Sequence, residues 1–518
     1  MWALYGLVLS ASSIRAFQVY LGNKTYMGFT TDQERNRIPN FSYSGFQNGN
    51  SSTPPNTQIQ ITLQPCNGDC TAYIQQAVDV VGGFPIINGT RGAVLLSNGI
   101  WNISGTIVLK YSGVSLLGVG SGTDPNTNTI LQATGSSSQY AMVKIGANKI
   151  NWYLNSKNIY ILDDEIPIGG RTIRAQDTQG LKVGDNIVLT YPANDNWLNL
   201  VDRGGTFTAP PWSAGFTSIA YLRRIIMINR VTNTIIMDSP IFEKMTKSIS
   251  NAYITPFDDS GITKNVIVSD LRLRILPSSS DPQDQNHAPT NILIDGAEDV
   301  WVYKCVMTGF LRSGISIFTS SQVTVSECFS IEPIGVSVEN NFYNYCVERG
   351  AQNILFKNNY ASGGRHHYIV NGMTLSSGIV FLNNTSFYPS SQDEAHRQWS
   401  TGILYDNHKT RVGGNYATVG LYSRGRFGTS HGWSCAHCVL WNSQFLLPDG
   451  SVGGGVMVQK PPSAQNYAIG NTLSIASGQK PPCPFPGSTG WVETISNLDM
   501  VSLYDTQLTN RLGTSPSF

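Results

Sequence analysis

Hydrophobic positions in this chain fall into short alternating runs that end in Gly, Asn or Ser, and the pattern predicts β-strands for most of its length. From Ala93 onward the runs read AVLLSNGIWNI, TIVLKYSGVSLLGVG and NTILQAT. Five later segments share one template of apolar alternation followed by a polar turn: VWVYKCVM from 300, VTVSECFS from 323, ILFKNNYA from 354, IVFLNNTS from 379 and CVLWNSQF from 438. The first two are offset by 23 residues and the third and fourth by 25, about one turn of a parallel β-helix. The sixth template position reads Cys305, Cys328, Asn359, Asn384 and Ser443, small polar residues suited to stacking in ladders along the coil axis. The 31-residue step between the second and third segments predicts loops that grow from one edge and wall a groove. Sandwiches in series would place two-residue Asn-Gly hairpins between neighbouring strands, and such signals are scarce between 260 and 445. The predicted fold class is all-β, a right-handed parallel β-helix.

Helical spacing enters only at the ends. Ile74, Ala77, Val78 and Val81 predict one amphipathic helix over 71–81, placed to cap an open end of the coil. Before it, Cys66-Asn-Gly-Asp-Cys70 has the turn chemistry of a small disulfide-closed loop. The expected organisation is a signal peptide at 1–16, an extended polar arm at 17–60, the β-helix at 61–445 and a loop-rich tail at 446–518 that packs on the last turns. Within that tail the prolines of 480–487 exclude regular structure, and Leu503, Leu508 and Leu512 predict a short helix.

Charge narrows the partners. Charged residues make up 13% of the chain against about 25% for an average protein, and the net charge is +1. Such a balance supplies no basic face for nucleic acid. No run of 18 apolar residues could span a membrane once the signal segment is removed. The apolar run WALYGLVLSASSI ahead of Arg15-Ala16 predicts secretion to the extracellular space. Eight cysteines and seven Asn-x-Ser/Thr triplets, at Asn23, Asn40, Asn50, Asn88, Asn102, Asn383 and Asn384, suit that compartment. A monomer is the expected state.

The chemistry concentrates in one window: six of the seven histidines lie between 366 and 437. Local sequences are GGRHHY (363–368), DEAHRQW (393–399), ILYDNH (403–408), YSRGRFGTSHGW (422–433) and CAHC (435–438). Clusters spaced in this way would line adjacent turns of a coil on one side. Aromatic residues interleave with them, and flat rings beside Arg and His suit a sugar chain. Cys435 and Cys438 bracket His437 as C-x-x-C, but no second pair follows at a zinc-site spacing, which predicts packing or a disulfide.

These repeats resemble the pectate-lyase-like superfamily of parallel β-helix proteins over roughly residues 60–470. GGRHHY, DEAHRQW, TGILYDN and GTSHGW are similar to segments of secreted, carbohydrate-active members. The resemblance implies a polysaccharide as partner and an activity among lyases, hydrolases, epimerases and adhesins. The calcium-dependent lyases of the superfamily hold their ion in a carboxylate cluster with no counterpart here, so no cofactor or metal is expected. Its galacturonan hydrolases carry a paired-Asp motif that is missing, and only Ser430-His431-Gly432 is similar to their Gly-His-Gly.

Eliminating across a uronic acid needs a cation on the carboxylate, a base for the C5 proton and an acid for the leaving oxygen. Arg365 and Arg397 suit the first role, because guanidinium is always charged and binds carboxylate bidentately. His396 is the first choice of base, with His367 and His431 behind it, held by Asp393 or Glu394. Tyr405 or another histidine suits the acid. Trp399 and Trp433 are the expected stacking platforms, with Asp393, Asp406, His408 and Arg424 completing the substrate contacts. The favoured activity is therefore metal-independent polysaccharide lyase. A hydrolase using Asp393, Glu394 or Asp406 is the alternative, and a non-catalytic wall-binding coil is the third reading.

Overall fold

The computed structural model describes residues 19–22, 26–29, 31–135, 140–147, 157–411, 417–447, 455–472, 483–494, 498 and 500–513. The expected signal segment, 1–16, lies outside them. Among the described residues, three long sheets form the body, and every strand in them pairs in parallel with strands one turn away. The long sheet runs from Ile59–Leu63 to Trp491–Glu493, the second from Gly99–Ile103 to Gln444–Leu446, and the third from Ile107–Leu109 to Gly455–Val458. One strand of each, such as Gln352–Lys357, Tyr360–Ser362 and His366–Val370, completes one turn. The protein is a parallel β-helix.

The observed register matches the repeat read from the sequence: Val300 pairs with Val323, Val323 with Ile354, and Ile354 with Ile379. Period-two alternation turns Val323, Ile354, Ile379 and Ile403 into the coil's interior, where they belong to one continuous core. The polar ladder forms as well. Cys305 donates its N–H to Cys328 Sγ at 3.4 Å, Cys328 to Asn359 Oδ1 at 2.9 Å, and Asn359 to Asn384 Oδ1 at 2.8 Å. Such bonds satisfy backbone donors that a buried corner would otherwise strand. Cys305 and Cys328 stack on adjacent turns as thiols, whereas Cys66 and Cys70 are bonded. Cys435 and Cys438 are buried thiols too.

The coil is not continuous over 61–445. Between Ala141–Ile145 and Thr263–Ser269 the chain leaves it and builds a six-stranded antiparallel sheet spanning 159–257. That insert packs Tyr191, Trp197, Tyr221 and Phe242 against Leu355, Val380, Leu404 and Val439 on the outer surface of the long sheet. Residues 446–518 in turn add strands Gly455–Val458, Tyr467–Ile469 and Trp491–Glu493, so the coil extends past 445 before the helix Leu503–Leu512.

The helix Thr71–Gly82 buries Ile74, Ala77, Val78 and Val81 in the end of the coil, as its spacing predicts. The arm is less free than its composition suggests. Gln47 N–H bonds Asp299 Oδ1, Phe46 N–H bonds Thr324 Oγ1, Gly45 N–H bonds the Asn353 carbonyl and Ser44 Oγ bonds the Gly378 carbonyl. The segment thus crosses four successive turns of the long sheet.

Candidate functional site

The third sheet's strands end in the loops that lead back to the long sheet, and those loops carry the candidate site. His396 and Arg397 directly follow Asp393–Ala395. Asn371 follows His366–Val370, and Arg365 precedes it. Arg424 and His431 sit in the loop after Ala417–Leu421. Arg365, Asn371, His396, Arg397, Arg424 and His431 wall one cavity of about 390 Å3, which Glu339, Asn340, Gly428 and Thr429 complete.

Glu394 organises this cavity from beneath. Its carboxylate is fully buried, and strand alternation sets it opposite to Ala395, which packs in the coil's core. Oε1 lies 2.5 Å from His396 Nδ1 and 3.1 Å from Arg424 Nη1, while Oε2 accepts from Gln392 Nε2 at 3.0 Å and Tyr422 Oη at 3.1 Å. Arg424 Nη1 also donates to the His396 carbonyl at 3.0 Å. His396 Nδ1 thus stands between Glu394 Oε1, which accepts, and Arg424 Nη1, which can only donate, each at 2.5 Å. Nε2 of His396 has no hydrogen-bond partner among the described residues and belongs to a residue that walls the cavity.

The histidines are held neutral. Burial, and then the positive charges of Arg424, Arg397 and Arg365, push His396 well below its ordinary value. Burial together with His396 and Arg424 lowers His431 to about 3. Burial lowers His366 to about 4, its ring edge-on to His396 at 5.4 Å. Uncharged imidazoles among three guanidinium groups make a cavity suited to an anion. Gly428 is required here: at φ +56° it passes so close to His431 that a Cβ would sit 2.2 Å from the ring.

His366, Glu394 and His396 also bring three possible metal-ligating atoms within 4.8 Å of one another. Arg424 Nη1 lies 2.5 Å from His396 Nδ1 and 3.1 Å from Glu394 Oε1, so a permanent cation already occupies the position a metal would take. The donor set does not fit an ion.

Of the residues singled out from sequence, Arg365, His396, Arg397, Arg424 and His431 converge. The others do not. Tyr405 is an interior residue, stacked on Phe381 at 4.8 Å with its hydroxyl on the Tyr368 carbonyl. Asp406 accepts from Ser502 Oγ and Tyr504 N, both at 2.8 Å, and so caps the C-terminal helix. His408 is a ladder residue whose Nε2 meets Asp393 Oδ2 at 2.9 Å inside the coil. His367 is interior as well, its Nδ1 on Ser386 Oγ, and burial lowers it to about 4. Asp393 therefore does not orient His396. For Tyr405, Asp406 and His408 the cause is shared: ILYDNHKT (403–410) is a further turn of the template, with Ile403 paired to Ile379 and Tyr405 to Phe381.

Trp399 and Trp433 lie beneath the antiparallel insert rather than in a groove. Trp399 donates Nε1 to Glu243 Oε2 at 2.8 Å and packs edge-on to Trp197 at 5.6 Å. Trp433 is buried, its backbone N–H on the Gly204 carbonyl. Asn371 and Gln392 were not marked by the sequence, and Tyr422 stood out only as one of the aromatics interleaved with the clusters. Gln392 stands one residue before the DEAHRQW segment and Tyr422 beside Arg424, and only the sheet register shows that they meet.

A parallel β-helix with an arginine- and histidine-lined cavity on one flank is thus the class that fold and site define. No protein-family model matches the chain, and no curated protein matches it. Solved structures similar to it include Geobacillus virus E2 ORF18 (9% identity, TM-score 0.36, covering 79% of this chain and 56% of that one). This chain thus spans little more than half of that protein's length. The endo-xylogalacturonan hydrolase of Aspergillus tubingensis is similar at 12% identity and TM-score 0.36, over 82% of this chain and 100% of that one. The DFA-IIIase of Arthrobacter chlorophenolicus A6 is similar at 10% identity and TM-score 0.35, over 88% of each chain.

Proposed function

We propose that this protein is a secreted enzyme acting on a uronic-acid-containing polysaccharide, a metal-independent lyase whose base is His396. The observation that carries the reading is the neutral His396, backed by Glu394, in a cavity with Arg365, Arg397 and Arg424. The arginines bind the uronate carboxylate and draw negative charge toward it, which acidifies the C5 proton. In the tautomer with Nδ1–H directed at Glu394 Oε1, His396 Nε2 takes that proton. The C5–H electron pair becomes the C4=C5 double bond as the C4–O bond breaks, and the imidazolium just formed returns its proton to the leaving oxygen. Glu394 stabilises that imidazolium through Nδ1–H. With Tyr405 inside the coil, one histidine serving as base and then acid is the economical assignment.

Hydrolysis asks for two carboxylates flanking the bond, about 5–9.5 Å apart. Among the described residues the cavity wall offers Glu339 alone, since Glu394 is fully buried and spent on four donors. The test is a screen of polyuronates that follows ultraviolet absorbance of an unsaturated product and reducing ends in parallel. Both signals together are the expected result. Reducing ends without absorbance would replace the lyase by a hydrolase, and neither signal, with binding retained, would leave a carbohydrate-binding coil.

A further inference from the structure

A second cavity, of about 520 Å3, lies over the first turns of the coil, beside the strands Ile59–Leu63 and Gly92–Leu96. Its size falls within the range of small-molecule sites, about 300–1,000 Å3. Its chemistry is the reverse of the arginine cavity. Side-chain amides line it from four separate stretches: Gln47; Asn56, Gln58 and Gln60; Asn88; and Asn265. Phe84 and Ile87 add apolar surface. Arg91 is the one charged residue in its wall, and that guanidinium is committed, Nε to the Ser112 carbonyl at 3.1 Å and Nη1 to the Phe84 carbonyl.

No hydrogen bond within the described residues occupies the side-chain amides of Asn56, Gln58 or Asn88. Each such amide offers two donor hydrogens and an acceptor oxygen side by side, which matches a hydroxyl that must both give and receive. Apolar rings and methyl groups between them match the C–H faces of a pyranose. The wall's single guanidinium is held by the Ser112 and Phe84 carbonyls and every other lining group is neutral, so a carboxylate's desolvation would go largely uncompensated. We infer that this cavity binds an uncharged saccharide, at a site separate from the one that takes the anionic chain. No lining residue is shared by the two cavities, so the inference stands whether or not the lyase reading does.

Saturation-transfer NMR on the full chain tests it, with cellohexaose, mannohexaose and maltohexaose as probes and a host that adds no glycan to Asn88. At least one probe gives signal on the wild-type protein. Removing three amides together, Asn56→Ala, Gln58→Ala and Gln60→Ala, weakens it at least about tenfold, because several hydrogen bonds are lost at once. All three side chains are exposed, and an unchanged circular dichroism spectrum shows the fold intact. Gln58→Ala alone gives a smaller loss in the same direction. The double variant Arg365→Ala/Arg397→Ala keeps the neutral probe's signal and loses that of hexagalacturonate. Absence of signal from all three probes, or affinity untouched by the triple variant, overturns the inference.

Discussion

His396 Nδ1 lies 2.5 Å from Glu394 Oε1, a carboxylate with no exposure to solvent. Glu394→Gln keeps the shape of that side chain and removes its charge, so Nδ1–H loses a charge-assisted acceptor. Removing a positioning partner of this kind typically costs ~10–100-fold. The expected outcome is a kcat lower by about that factor, with KM nearly unchanged and the fold intact. Steady-state kinetics on the polyuronate found by the screen measures it, and equal kcat for the two proteins removes Glu394 from the mechanism.

Arg397→Lys separates charge from geometry. Arg397 Nε donates to the Asn371 carbonyl at 3.3 Å, which aims the rest of the guanidinium at the cavity. Lysine keeps the charge but loses the planar fork. Activity is expected to fall about tenfold or more, and kcat/KM against ionic strength checks it: a pure charge effect would leave the lysine variant near wild type.

The pH profile follows from the lowered histidine values. A base must be neutral to act, and His396 in the free protein stays neutral well below its ordinary 6.5. Its acid limb in kcat/KM, which reports the free enzyme, therefore falls clearly below pH 6.5. A limb at or above 6.5 would mean that the base lies outside this arginine cluster.

Asp406 carries a prediction about stability. Burial pushes it up to about 7 from the usual 3.8. The folded state then holds a proton that the unfolded chain releases, so stability falls as pH rises from about 4 to about 7. Asp406→Asn still accepts from Ser502 and Tyr504 but has no charge to bury. Melting temperatures are expected to be higher than wild type at pH 8 and similar at pH 4; a lower value at both would show that the charge itself holds the helix.

Tyr405→Phe tests the correction to the site. The hydroxyl bonds the Tyr368 carbonyl inside the core, so its loss costs about 1 kcal/mol of stability. Turnover is expected to stay within about twofold. A loss as large as that for His396→Ala would return Tyr405 to the reaction.

Tyr405 also shows what was legible in the chain. The templates at 300, 323, 354 and 379 pair in the structure as their spacing predicts, because a strand's period of two leaves the interior face visible as alternation. The same template runs through ILYDNHKT, where tyrosine, aspartate and histidine replace phenylalanine, leucine and asparagine and pass for chemistry. His396, Arg397, Arg424 and His431 were visible because loops after successive strands of one sheet meet, and Arg365 joins them from the start of the neighbouring strand. His366 and His367 are neighbours with different surroundings, and composition cannot tell which packs against His396 and which turns into the coil. The insert at 159–257 was missed for another reason. Its strands alternate like those of the coil, and only antiparallel pairing across long sequence distances distinguishes them.

The arm segment that crosses four turns has a bearing on the order in which this molecule is completed. Domains generally form from the N-terminus as the chain is synthesised. Residues 44–47, however, lack their partners on the long sheet until Asp299, Thr324, Asn353 and Gly378 exist and stand in register. The helix Leu503–Leu512 then closes over the same stretch, with Tyr504 Oη on the Ser44 carbonyl and Gln507 on Phe41 N–H and the Pro39 carbonyl. Residues 39–44 are thus fastened by residues 460 to 468 positions further on, and a ribosome-bound chain still lacking residues 503–512 would carry them without that clasp.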